Sequence, residues 1–170
     1  MAQQEFTDAI ALLKADHRAV EELFAKFESA SGKDRKLKLA EQICNELKIH
    51  SMIEEELFYP AFQGKIEDDT LDEAYVEHDG AKVLINDLMA NARNDDFFEA
   101  KVKVLSEEIK HHVHEEEMPR EGMFAQCRGT NVDLVALRDR MLARKEELKA
   151  KAENGGLPPA KLAAVRLQMA

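Results

Sequence analysis

The chain predicts an all-α fold, an antiparallel up-down-up-down four-helix bundle with an additional C-terminal helix. Three observations carry that prediction. The composition is helical, with abundant Ala, Leu, Glu and Lys, 34% charged residues, and only 7 Gly and 4 Pro in 170 residues. Apolar residues recur every three or four positions along four successive stretches. Short turns join those stretches, and long helices with short connections pack antiparallel.

The first helix is expected to begin at Thr7 as its N-cap and to turn Ile10, Leu13, Val20, Phe24 and Phe27 inward. Ser31-Gly32-Lys33 ends it. The second is predicted over residues 34–62, with Leu39, Ile43, Leu47 and Leu57 on its inner face. Gly64 and Glu67-Asp68-Asp69 form the next turn. The third opens at Thr70, where Thr70-Leu71-Asp72-Glu73 has the form of a capping box. Its stripe is Leu71, Ala74, Ala81, Ile85 and Leu88, and residues 91–95 break it. The fourth spans residues 96–117 through Val102, Leu105 and Ile109, and Pro119 and Gly122 stop it. A fifth helix after Asn131, through Leu134, Leu137, Met141 and Leu148, is expected to cover one side of the bundle. The expected organisation is one domain over residues 1–153, then a Gly/Pro hinge and a short tail over 154–170. That tail is read as a docking helix or a loose end.

Charge and cysteine usage narrow the function classes. A net charge of −10 argues against nucleic acid and against anionic membranes as partners, because both demand basic patches. No stretch approaches the roughly 20 apolar residues of a membrane span. The start, MAQQEFTDAIALLK, lacks the basic and apolar regions of a signal peptide. Cys44 and Cys127 are isolated and form no Cys-x-x-Cys pair, as suits a reducing compartment. A cytoplasmic location is the expectation that follows.

The apolar stripes contain six polar residues in phase: His17, His50, Glu54, His78, His112 and Glu116. An unpaired buried charge costs several kcal/mol, roughly, so a core accepts such groups only with a partner, and a metal would be one. Imidazole with carboxylate suits Fe, Zn, Mn and Cu rather than Ca or Mg. Six inward donors exceed what one tetrahedral zinc needs. His-x-x-x-Glu occurs twice, as His50/Glu54 and His112/Glu116, and places both groups on one helix side. Each carboxylate can bridge while its histidine binds terminally, so with the lone His17 and His78 a binuclear centre results. His111 with Glu115 has the same spacing, but the phase from Leu105 and Ile109 selects His112 and leaves His111 and His114 outward.

These residues, in the order His17, His50-Ser51-Met52-Ile53-Glu54, Glu77-His78 and His112-x-x-x-Glu116, resemble the hemerythrin-like (HHE cation-binding) family over about residues 8 to 127. The resemblance implies a non-haem di-iron site with an oxo or hydroxo bridge. In it His17 and His50 would bind one iron, His78 and His112 the other, and Glu54 and Glu116 would bridge. Animal hemerythrins have a further histidine one turn before the third-helix ligand, where this chain has Ala74. That leaves either an open position or a substitute, with Tyr75 and Glu77 the nearest candidates. The implied roles are binding or sensing of oxygen, nitric oxide or peroxide, a di-iron oxidoreductase acting on peroxide or nitric oxide, or iron storage and delivery.

Overall fold

The computed structural model describes residues 5–168, and their regular structure is entirely helical. The four bundle helices lie where hydrophobic periodicity put them, and the differences come from local chemistry. Helix α1 (Ala9–Ser29) is capped by Asp8 rather than Thr7: the Asp8 carboxylate accepts the Ala11 N–H at 2.9 Å. A charged oxygen at this end also complements the helix dipole.

Helix α2 covers Lys33–Ile53, and the continuous helix expected to residue 62 is interrupted. Residues Glu54–Phe58 form a π turn in which the Tyr59 N–H donates to the Glu54 carbonyl, and α3 (Tyr59–Phe62) follows. Pro60 supplies the cause. It has no N–H to donate, and its ring crowds the carbonyl four residues back, so the preceding turn widens. The inserted residue lets Phe58 and Tyr59 both be fully buried. Burial of each such ring contributes about 1.5–3 kcal/mol.

Helix α4 (Asp68–Asn91) starts ahead of the expected capping box. Gln126 takes over the capping: its side-chain carbonyl accepts the Glu67 N–H at 3.1 Å, and its amide donates to the Thr70 hydroxyl at 3.1 Å. Helix α5 (Phe98–Glu117) starts later than expected because the Asp95 carboxylate accepts the Phe97 N–H at 2.8 Å and folds the connection into a turn. After α5 the chain reverses sharply at Gly122, where a Cβ would lie 2.4 Å from the Met118 carbonyl oxygen. Only glycine fits there.

Two elements follow. The short α6 (Met123–Arg128) was not foreseen in the sequence. Helix α7 (Leu134–Glu153) is N-capped by Asp133 and lies across α1 and α2. Beyond α7, residues 154–168 hold no helix; they run extended over α2 and α4 and are pinned there by side chains of both. The tail therefore docks, but not as a helix.

The buried apolar residues form two clusters. One, around Ile10, Leu13, Ile53, Phe58, Phe62 and Leu71, is extended by α6 and α7 through Phe124, Leu137 and Met141. The other gathers Val20, Phe24, Ile43, Leu88, Val102 and Leu105. The six in-phase polar residues belong to neither. A polar layer thus separates two apolar halves, and it lies inside the molecule rather than at an end of it. Cys44 and Cys127 are buried, unpaired, and have thiols pushed up to about 12 by burial, so both are inert packing residues. No helix among the described residues is long and apolar enough to cross a membrane.

Candidate metal centre

The helical spacing delivers His50 and Glu54 from α2 and its π turn, and His112 and Glu116 from α5, as pairs four residues apart. His17 comes from the middle of α1 and His78 from α4. All six are buried, Glu54 and Glu116 almost completely. The His17 and His50 rings lie edge to face with centroids 4.9 Å apart, and the His78 and His112 rings do the same at 4.7 Å. Two histidine pairs therefore face one another across the carboxylates.

Glu116 reaches both pairs. Its Oε2 is 3.1 Å from His17 Nε2, and its Oε1 is 3.1 Å from His112 Nε2. Glu54 Oε1 is 2.5 Å from His50 Nε2 and 3.6 Å from His78 Nε2. Several of these atoms are close without hydrogen-bond geometry. His17 Nε2, His50 Nε2, both Glu54 oxygens and Glu116 Oε2 are buried and make no hydrogen bond within the protein. They converge on common points rather than on each other. Donor atoms of His17, His50, Glu54 and Glu116 lie mutually within 4.8 Å, and so do those of Glu54, His78 and His112. These are two adjoining groups that share Glu54, each of a composition that suits a transition metal.

The outward nitrogens are ordered too. Each Nδ1 faces a carboxylate on the preceding helix around the bundle. His50 meets Asp16 of α1 at 3.2 Å. His78 meets Glu55 of the π turn at 3.0 Å. His112 meets Glu77 of α4 at 3.0 Å, and His17 meets Glu117 of α5 at 3.1 Å, which closes the ring. With a cation in the layer, a carboxylate there would keep the proton on Nδ1, fix the ring, and leave the Nε2 lone pair aimed inward. His78 Nε2 and His112 Nε2 then face each other at 3.1 Å, an arrangement that calls for a cation between them.

Each outer carboxylate has its own cationic or imidazole neighbour: Lys145 at Asp16, Lys82 at Glu55, His111 at Glu77 and Arg18 at Glu117. Burial opposes the charge on Asp16, but His50 and Lys145 outweigh it and hold the acid down to about 2. Burial likewise opposes the imidazolium of His50, but Glu54 and Asp16 raise it to about 10. His112 is raised well above its ordinary range by Glu116 and Glu77 against the effect of burial, and Glu116 is depressed well below its own by His112 and His17. Asp16 and Glu116 are thus held as carboxylates, and His50 and His112 are held toward positive charge.

His111 and His114 stay outside, as the apolar phase requires; the His111 side chain is 66% exposed and pairs with Glu77 Oε2 at 3.1 Å. The expected substitutes near Ala74 do not enter the layer. Glu77 turns to His112 Nδ1 and His111, and Tyr75 packs its ring edge to face with Tyr59 at 5.2 Å. Tyr59 occupies that side instead. Its hydroxyl donates to Glu116 Oε1 at 2.9 Å and lies 3.1 Å from His78 Nε2. Burial and the nearby Glu116 and Glu54 raise its phenol well above the ordinary range.

Sequence reasoning gave no polar role to Tyr59, took Glu77 as a candidate substitute ligand, and did not single out Asp16, Glu55 or Glu117. All had signals. Each carboxylate is adjacent in sequence to an inward residue, as in Asp16-His17, Glu54-Glu55, Glu77-His78 and Glu116-Glu117. One step along a helix rotates about 100°, which aims the neighbour at the seam with the next helix. For Tyr59 the signal was Pro60, which shifts the helical phase just before it.

A cavity of about 30 Å³ adjoins the layer, bounded by the four histidines and by Val20, Leu47, Ile85 and Val113 among others. It has room for one or two water-sized molecules.

A family model described as the Hemerythrin HHE cation binding domain matches residues 8–125. The chain belongs to the hemerythrin HHE cation-binding family. The same fold is seen in a solved hemerythrin HHE cation binding domain-containing protein from Mycobacterium kansasii. The two share 22% identity and superpose with a TM-score of 0.71, over 88% of this chain and 91% of that one. No curated protein matches the chain. The family match ends within α6, so α7 and the extended tail lie outside it.

Proposed function

We propose that this hemerythrin-like chain is a non-haem di-iron protein that binds or senses a small diatomic ligand, oxygen or nitric oxide, or a peroxide. His17 and His50 would serve one iron and His78 and His112 the other, with Glu54 and Glu116 shared between them. The observation that carries the reading is the set of orphaned, inward-facing Nε2 and carboxylate oxygens in two adjoining groups. An iron pair held there would supply reversible one-electron chemistry and a site for a small electron-rich ligand.

The protein's own residues do the rest. The ring of outer carboxylates keeps four imidazoles oriented, which lowers the reorganisation needed on metal loading. Tyr59 holds a proton at its hydroxyl oxygen, directed to Glu116 Oε1, and is placed to add a phenol oxygen near His78 and His112. The apolar wall of the small cavity excludes larger molecules, and its size favours a diatomic ligand over an organic substrate.

Tyr59 also favours a second reading, an oxidoreductase acting on peroxide or nitric oxide, because its phenol holds a proton inside the layer, beside Glu116 Oε1. One experiment separates the two and tests both. Iron is counted per chain, and the absorption spectrum of the reduced, loaded protein is recorded before oxygen, after oxygen, and after deoxygenation. A charge-transfer band that appears and reverses supports a carrier or sensor. Irreversible oxidation with repeated turnover of peroxide or nitric oxide supports the enzyme. Iron at or below one per chain under saturating ferrous ion overturns the di-iron reading.

A further inference from the structure

The four outer carboxylates are not supported alike. Lys82, at Glu55, is buried with only 4% of its side chain exposed, and every donor of its ammonium is engaged. It donates to both Glu55 oxygens at 2.8 Å, to Asp79 Oδ1 at 3.3 Å and to the Lys161 carbonyl at 2.8 Å. That last acceptor belongs to the extended segment after α7. The segment is held at four places. Lys48 donates to the Leu157 carbonyl at 3.3 Å. The Asn86 side chain pairs with both the N–H and the carbonyl of Ala160, at 2.8 and 2.9 Å. Lys82 takes Lys161. The fully buried Asp79 carboxylate accepts the N–H groups of Ala163, Ala164 and Val165 at 2.8, 2.6 and 2.6 Å.

This is an expensive way to fasten a tail. Burying Lys48, Asp79 and Lys82 is costly unless each finds partners, and the segment supplies partners to all three. A continuous chain of contacts runs from its backbone through Lys82 and Glu55 to His78 Nδ1. Asp16 also draws on chain beyond the family match, through Lys145 of α7, but among the outer carboxylates Glu55 alone is tied to the extended segment after α7.

We propose that the segment over residues 157–165 is a positioning strap of the metal centre: through Lys82 and Glu55 it fixes the ring of His78, so that retention of the metal on the His78/His112 side depends on chain outside the four-helix bundle. The statement about metal retention rests on the two-metal reading given above; the statement about the His78 ring does not.

The experiment compares the full chain with a chain ending at Pro159, which keeps α7 but lacks the residues that hold Lys82 and Asp79. Release of ferrous iron to a chromogenic chelator is followed without oxygen. The full chain should release its iron in two phases. In the shortened chain one phase should quicken by about 10- to 100-fold while the other is unchanged, the size of effect that outer-shell contacts carry in metal affinity. Equal weakening of both irons marks a general loss of packing and overturns the proposal, as does no change in either. The metal-free proteins give a second readout, the exchange of the His78 ring N–H with water by nuclear magnetic resonance. It should quicken at least tenfold on shortening, with the His17 ring N–H unaffected, and an unaltered His78 signal overturns the strap. Iron at or below one per chain in the full protein removes the two-metal reading, and the His78 signal still decides the strap. Should the shortened chain fold poorly, Asp79→Asn, which turns an amide toward the three N–H donors of the strap, should produce the same selective changes to a smaller degree.

Discussion

The two sides of the polar layer are built from the same kind of pair but finished differently. On the His17/His50 side both shared carboxylates approach closely, and the outer partners Glu117 and Asp16 are held by Arg18 and by Lys145 of α7. On the His78/His112 side Glu54 stands farther off, the Tyr59 hydroxyl lies 3.1 Å from His78 Nε2, and Lys82 ties the outer partner to the strap. Two near-equivalent positions have become chemically distinct through a single π turn and a tail. The difference teaches that the inner donors set what kind of ion fits, whereas the elements around them decide how the two positions differ.

The largest effect should come from removing what the sides share. On the two-iron reading, Glu54→Ala should abolish binding of both irons and lower the melting temperature of the loaded protein to that of the metal-free form, because metal binding is coupled to folding. His78→Ala should leave the His17/His50 side loaded. Iron counts of zero and about one per chain are the expected outcomes, and equal counts in the two variants would erase the distinction between shared and private donors.

A smaller effect should appear with pH in the metal-free protein, to which raised imidazoles on both sides contribute, His17 and His50 on one and His112 on the other. His50 is raised to about 10 in the folded chain, against about 6.5 unfolded. Its contribution is therefore complete below about pH 6.5 and is lost as pH climbs through 10. Asp16, depressed to about 2, contributes above about pH 3.9 and loses that contribution only as pH falls toward 2. Urea midpoints should decline steadily between neutral pH and pH 10, and His50→Gln should flatten that decline.

The smallest change is Tyr59→Phe. It removes one buried hydrogen bond to Glu116, a loss of about 1–2 kcal/mol, and should leave iron content intact. Any phenol-to-iron absorption band should vanish with the hydroxyl. A spectrum identical to that of the parent would place the phenol outside the ligand set and restore near-equivalence to the two sides.

The bundle was legible in the sequence because a 3.6-residue period survives in every long helix, and the polar residues were visible because they sat in phase with it. The His112 rather than His111 assignment to the interior followed from Leu105 and Ile109 in the same way. What escaped was whatever depended on contacts between distant segments. The start of α4 is set by Gln126, nearly sixty residues away, so the local capping box at Thr70 misled. Tyr59 was hidden by a phase shift that an uninterrupted helix does not allow. The strap has no periodicity at all, because its backbone is satisfied by the side chains of Asp79, Lys82 and Asn86 rather than by its own turns.

The polar layer between two apolar cores has a consequence for assembly. Four helices with generic apolar stripes can slide past one another in steps of a turn, about 5.4 Å, with little penalty from leucine meeting leucine. Here any such slip would drive Glu54 or Glu116 in among residues such as Ile53, Phe58 or Leu105 and strand a charge in hydrocarbon. The layer therefore acts as a register key: it admits one vertical alignment of the helices and rejects its neighbours, as a lone buried polar residue does in a coiled coil.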